Sequence, residues 1–132
     1  MPSMSVSLRN VLDTQAAMGW AGGHTLVVDR PEGRAGGMGL GFNGGQMIAL
    51  AIGGCFCNDL RYMAETMGVG IDTIAVDVTI TLEGSPLLVT GAEMAVRVEG
   101  QGDMAELIRR AAADSTVGNS VQRGFPVTVT QV

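Results

Sequence analysis

Two cysteines, Cys55 and Cys57, stand one residue apart in the stretch GGCFCNDL, residues 53–60, and they are the only thiols of the 132-residue chain. Three chemistries are open to them: a redox couple, a metal site, or two small apolar groups inside a helix. On a helix, side chains two positions apart point about 200° away from each other around the axis, so a disulfide between them lacks converging Cβ vectors. A metal site needs further ligands, and His24 and acidic residues such as Asp59 are the candidates. One histidine beside a Cys-x-Cys is a weak donor set, so no metal and no cofactor is assigned. The run AGGMGLGFNGG, residues 35–45, has neither the Lys-Ser/Thr ending nor the directly preceding strand of a phosphate loop. It reads as a flexible loop over the site.

The element that must carry the thiols is a helix from Gly44 to about Met67, with Asn43 as N-cap and Gly68 as C-terminal stop. Its first half, QMIALAIGGCF, is apolar almost all round, which predicts burial on most faces, whereas NDLRYMAETM is amphipathic and should emerge toward solvent. Gly53 and Gly54 let a neighbour approach closely. Cys55 lies about three turns in, beyond the reach of the N-terminal dipole. Met47, Met63 and Met67 suit core packing and could also line an apolar pocket.

Around this helix the pattern is mostly strand. Residues 5–12 and 15–20 read as short strands, and HTLVVD follows a turn at Ala21-Gly22-Gly23. Ile74, Val76, Val78, Ile80 and Leu82 alternate with smaller or polar residues, and Ala92, Met94, Val96 and Val98 do the same after an EGSP turn. The two runs predict an antiparallel hairpin with one buried face. A second helix is expected from about Asp103, with Leu107, Ile108, Ala111, Ala112, Ser115 and Asn119 on one stripe, and FPVTVTQV should close the chain as a strand. Strands, helix, strands, helix, strand is an α+β order with both helices packed on sheet. A length of 132 residues fits one domain, taken as 1–132.

Composition narrows the function. The net charge is −5 and the eight basic residues are dispersed, which gives neither nucleic acid nor anionic lipid a surface to hold. The first ten residues lack the pattern of a signal peptide, and no run approaches the roughly 20 apolar residues of a spanning helix. A cytoplasmic protein is expected. There a cysteine pair is catalytic, metal-binding or buried rather than a structural bridge.

Residues 23–56, GHTLVVDRPEGRAGGMGLGFNGGQMIALAIGGCF, resemble the stretch that leads to the first cysteine of the OsmC/Ohr family, the osmotically inducible and organic hydroperoxide resistance proteins. The resembling features are an Asp-x-Pro after a strand, a Gly-Gly loop, an Asn cap, an apolar helix start and a small-residue-Cys-Phe step. AAADSTVGNSVQRGFPVTV, residues 111–129, is similar to the family's second-helix segment. The resemblance implies an intertwined homodimer in which two long central helices pack between antiparallel sheets and the N-terminal strands help build the partner subunit. It also implies an interfacial site where the first cysteine attacks an organic hydroperoxide, a second cysteine resolves the sulfenic acid, and an Arg and a Glu polarise the first thiol.

Cys55 falls on the first-cysteine position, whereas Ser115 stands where the resolving cysteine belongs. Gly44-Gly45 replaces the family's Pro-Glu, and DTQAAMGW, residues 13–20, holds no arginine; Arg9, Arg30 and Arg34 are the possible substitutes. The resemblance then implies catalytic roles for Cys55, as nucleophile, and Ser115, as a hydrogen-bonding replacement. The chemistry is one-cysteine, thiol-dependent reduction of a small organic hydroperoxide or thiol sensing, with an external thiol as reductant. The alternative is a non-catalytic dimer of the same fold that binds a small hydrophobic ligand in the interfacial pocket.

Overall fold

The computed structural model describes residues 1–132, which form two compact units, Met1–Met47 and Ile48–Val132. In the first, β1 (Ser7–Asn10), β2 (Ala17–Ala21) and β3 (His24–Val28) make an antiparallel sheet in that order. The register runs from Ser7 opposite Trp20 to Ala21 opposite His24, with Gly22-Gly23 as the turn. Both leading strands are shorter than the sequence pattern suggests.

The loop after β3 is not the loosely held segment its glycines predict. Asp29 is 3% exposed, and its carboxylate accepts the backbone N–H groups of Arg30 (2.8 Å), Met38 (3.1 Å) and Leu40 (3.0 Å). A buried carboxylate is tolerated only when its oxygens are satisfied, so these bonds fold residues 30–40 around it. Phe42 closes the loop with backbone bonds to Val27 and Asp29.

The helix α1 spans Gly44–Met67, the bounds its caps predict. Asn43 Oδ1 accepts the Gln46 N–H at 2.9 Å and Gln46 Oε1 accepts the Asn43 N–H at 3.0 Å, a reciprocal capping box. At the other end Gly68 has φ +68°, and its N–H and that of Val69 bond back to Glu65 and Ala64. Only glycine enters that left-handed conformation without strain, so the helix stops there.

In the second unit, β4 (Gly70–Glu83) and β5 (Leu88–Gln101) pair antiparallel, placing Ile74 opposite Val98, Val76 opposite Val96 and Val78 opposite Met94. The core unites Phe56, Leu60 and Ala64 of α1 with Leu107 and Ala111 of α2 (Met104–Asp114), backed by the inward residues of both strands and by Met63 and Met67. Phe56, Leu60 and Leu107 are the largest fully buried side chains. Each such burial contributes about 1.5–3 kcal/mol. The chain is therefore α+β, with helices packed on an antiparallel sheet.

Three further expectations change. Burial on α1 is a single stripe at Ile52, Phe56, Leu60 and Ala64, while Leu50, in its apolar first half, is 47% exposed. The second long helix is broken: Ser115 has ψ 119°, an extended value that ends α2, and α3 (Thr116–Arg123) follows. Ala112 and Asn119 are exposed rather than on the inward stripe. The closing FPVTVTQV has no strand partner, and Phe125, Val127 and Val129 are all exposed.

Candidate functional site

Cys55 and Cys57 are both free and half-buried. They sit either side of Phe56, whose side chain is committed to the core, so neither thiol occupies the centre of the buried stripe. The Cys55 Sγ lies 3.6 Å from Asp59 Oδ2, with the thiol as donor. The spacing i to i+4 stacks the two side chains on one face of α1, one turn apart. Gly53, half a turn earlier, meets the sheet: a Cβ there would lie 2.8 Å from Val78 Cγ2. Gly53 thus seats α1 against β4 at the level of the cysteine.

Ser115 is 4% exposed and occupies the joint between α2 and α3, where its carbonyl accepts the Asn119 N–H at 3.1 Å. No hydrogen bond joins its hydroxyl to Cys55. None joins an arginine to the Cys55 sulfur either. Arg109 and Arg110 are engaged with Glu106, whose carboxyl is pulled down to about 2 chiefly by the hydrogen bond from Arg109. Asp59 is the one partner that sequence reasoning set aside as a metal ligand only; its i+4 spacing from Cys55 was the signal that could have found it.

In the first unit, Arg9 donates to the Leu8 carbonyl and lies over the Trp20 ring, 5.8 Å from its centroid. Arg30 donates to the Gln15 carbonyl and sits 3.4 Å from Asp29. Asp29 is held below the usual carboxylate range, first by the Leu40 N–H, with burial opposing and the Met38 and Arg30 N–H groups and the Arg30 charge assisting. Against this sheet lies an open apolar pocket of about 230 Å³, whose lining includes Leu8, Trp20, His24, Leu26, Val28 and Met47. Met47 is thus a pocket residue, whereas Met63 and Met67 belong to the core.

The family model described as OsmC-like protein matches residues 36–130. The chain belongs to the OsmC-like family. No curated protein gives a match. Among solved structures, an OsmC-like protein from Mycoplasma pneumoniae superposes with TM-score 0.77 at 14% identity, covering 92% of this chain and 88% of that one. An organic hydroperoxide resistance protein OsmC from Legionella pneumophila gives TM-score 0.70 at 16% identity, with 92% and 90% covered. The organic hydroperoxide resistance protein OhrB of Bacillus subtilis gives 0.64 at 20%, with 92% and 91% covered. At these identities the likeness is one of fold. No helix of the chain is long and apolar enough to cross a membrane.

Proposed function

We propose that residues 1–132 act as one OsmC-like domain in a cytoplasmic homodimer, and that Cys55 reduces small organic hydroperoxides by one-cysteine chemistry. The observation that carries this reading is the Cys55 thiol itself: it is free, half-buried, and donates a hydrogen bond to the Asp59 carboxylate at 3.6 Å. Sulfur attack on the hydroperoxide yields a sulfenic acid and an alcohol. With Ser115 at the position of a resolving cysteine, no internal disulfide forms, and an external thiol condenses with the sulfenic acid before a second thiol releases Cys55. The homodimer reading is supported by apolar groups that the single chain leaves uncovered, among them Leu50, Phe125, Val127 and Val129.

The test mixes reduced protein with cumene hydroperoxide and counts thiols over time, with Cys55→Ser as control. Fast loss confined to Cys55 is expected; loss no faster than that of a simple thiol at the same pH sinks the proposal. Sedimentation velocity checks the dimer.

The N-terminal pocket favours a second reading, in which a small hydrophobic ligand binds without chemistry. Its lining is almost wholly apolar, and Trp20, the only tryptophan, reports occupancy directly. Saturable quenching of Trp20 by an apolar ligand, abolished by Leu26→Arg, which puts a charge into the apolar lining, is the expected result.

A further inference from the structure

We infer that residues 125–132 of one copy add as a fourth strand to the free edge of β1 in a second copy, and reciprocally, so that the two chains exchange their C-terminal segments. The inference rests on the homodimer reading above and names the surfaces that make the dimer. Each chain exposes 9785 Å², whereas a folded monomer of 13.6 kDa exposes about 6,600 Å². The excess, about 3,000 Å² per chain, is well above the roughly 800 Å² that each partner gives to a standard interface and suits an obligate one.

The donor segment has the pattern of a strand and no strand partner in its own chain. Phe125, Val127 and Val129 alternate with Pro126, Thr128 and Thr130, and Val127 and Val129 are 80% and 92% exposed. Pro126, which lacks an N–H, stands at the start of the run, where a strand tolerates it. The receiving edge shows the same two faces. β1 pairs only with β2, and all four of its residues are exposed. The register aligns Leu8, Gly19 and Leu26 in one row across the sheet, on the face of the apolar pocket, while Ser7 and Arg9 alternate to the other face. A strand laid along β1 therefore sets its valines beside Val6 and Leu8 and its threonines beside Ser7 and Arg9. Its backbone at the same time pairs the outward N–H and C=O groups of β1.

The other sheet edges are less open. Phe42 bonds to the backbone of Val27 and Asp29 along β3. β4 and β5 carry exposed charges at Asp77, Glu93, Arg97 and Glu99, a pattern that guards an edge against added strands. With the exchanged strand in place, Val127 of the partner subunit walls the pocket on its β1 side, so the pocket is complete only in the dimer.

The experiment uses the full chain. Sedimentation velocity over a dilution series fixes where the dimer dissociates, and hydrogen exchange read by mass spectrometry is followed over the same series. In the dimer, residues 127–130 should exchange at least about 100-fold more slowly than an unstructured chain, and should lose that protection together with β1 on dilution. Val127→Asp puts a charge on the apolar face and should raise the dissociation constant at least about 100-fold, whereas Thr128→Asp, on the polar face, should change it less than about threefold. To identify the edge, copies bearing Leu8→Cys and copies bearing Val127→Cys, all with Cys55→Ser and Cys57→Ser, are refolded together and treated with a short bismaleimide. A two-chain product that forms in the mixture and in neither population alone is expected. A dimer in which residues 127–130 exchange freely, or in which Val127→Asp dissociates no more readily than Thr128→Asp, overturns the strand exchange and leaves the homodimer reading standing. Protection without the mixed cross-link overturns the assignment to β1. A parent that stays monomeric throughout the series overturns both readings and leaves the pocket to a small apolar ligand.

Discussion

The three side chains that dominate the interior of Ile48–Val132 are hydrocarbons, Phe56, Leu60 and Leu107, whereas the buried positions of Met1–Met47 are Ala16, Asp29 and Gly37. One unit is held by apolar area, which is non-directional and grows with the surface removed from water. The other is held by directional bonds from backbone N–H groups to one carboxylate and by strand pairing, with its apolar residues left around an open pocket. The difference separates the tasks. The thiol is mounted on the unit with the firm core, and the surface able to accept an apolar group lies on the unit whose stability depends on charge.

The first way to break this comparison is to damage the core. Leu60→Ala removes a fully buried side chain from the meeting of α1, α2 and the sheet, and should cost about 2–5 kcal/mol in urea unfolding followed by helical circular dichroism. A cost below 1 kcal/mol would mean that the hydrocarbon stripe is not what holds this unit.

Acid should act on the other unit first. A carboxylate held below its unfolded value adds stability that is complete above the unfolded pKa and is lost as pH falls through the folded one. For Asp29 the loss therefore begins below about pH 4 and continues downward. Trp20 emission should change in that window while helical circular dichroism persists. Asp29→Asn should show the acid-like emission already at pH 7; a parent-like spectrum in that variant would remove the carboxylate from its organising role.

A smaller effect is expected at the start of α1. Asn43→Ala deletes one half of the capping box and should cost about 1 kcal/mol. Gln46→Ala, which leaves the Asn43 side chain bonded to the helix, should cost less.

These sites also mark what could be read in advance. Asn43 and Gly68 bound α1 correctly because caps are local: a short polar side chain at one end and a positive-φ glycine at the other act through the adjacent turn. The pairing of β4 with β5 followed from alternation, a property of each strand. The break at Ser115 was hidden because Leu107, Ala111 and Ser115 are all buried at a spacing that a continuous helix would also produce. The last segment carries a strand pattern, yet a strand exists only with a partner, and pairing is not written in the segment itself. Asp29 was visible as the head of an Asp-x-Pro, but its three donors come from as far as Leu40 and arise only when the loop folds. At the site, helical geometry separated Cys55 from Cys57 correctly, and the same geometry joins Cys55 to Asp59.

That separation supports the smallest effect of all. Cys57 is two residues from Cys55, hence on another side of α1, and it has neither a disulfide nor a hydrogen bond to the Cys55 sulfur. Cys57→Ser should leave the rate of Cys55 oxidation by cumene hydroperoxide within about twofold of the parent. A large fall would require the two thiols to cooperate, through partial unwinding of α1 or through contact between Cys57 residues of two copies. Non-reducing mass spectrometry of the oxidised parent separates these cases, since an intrachain disulfide leaves the mass of one chain and an interchain disulfide doubles it. The intrachain species is not expected, because Phe56 is anchored in the core between the two cysteines and fixes the turn of helix on which they diverge.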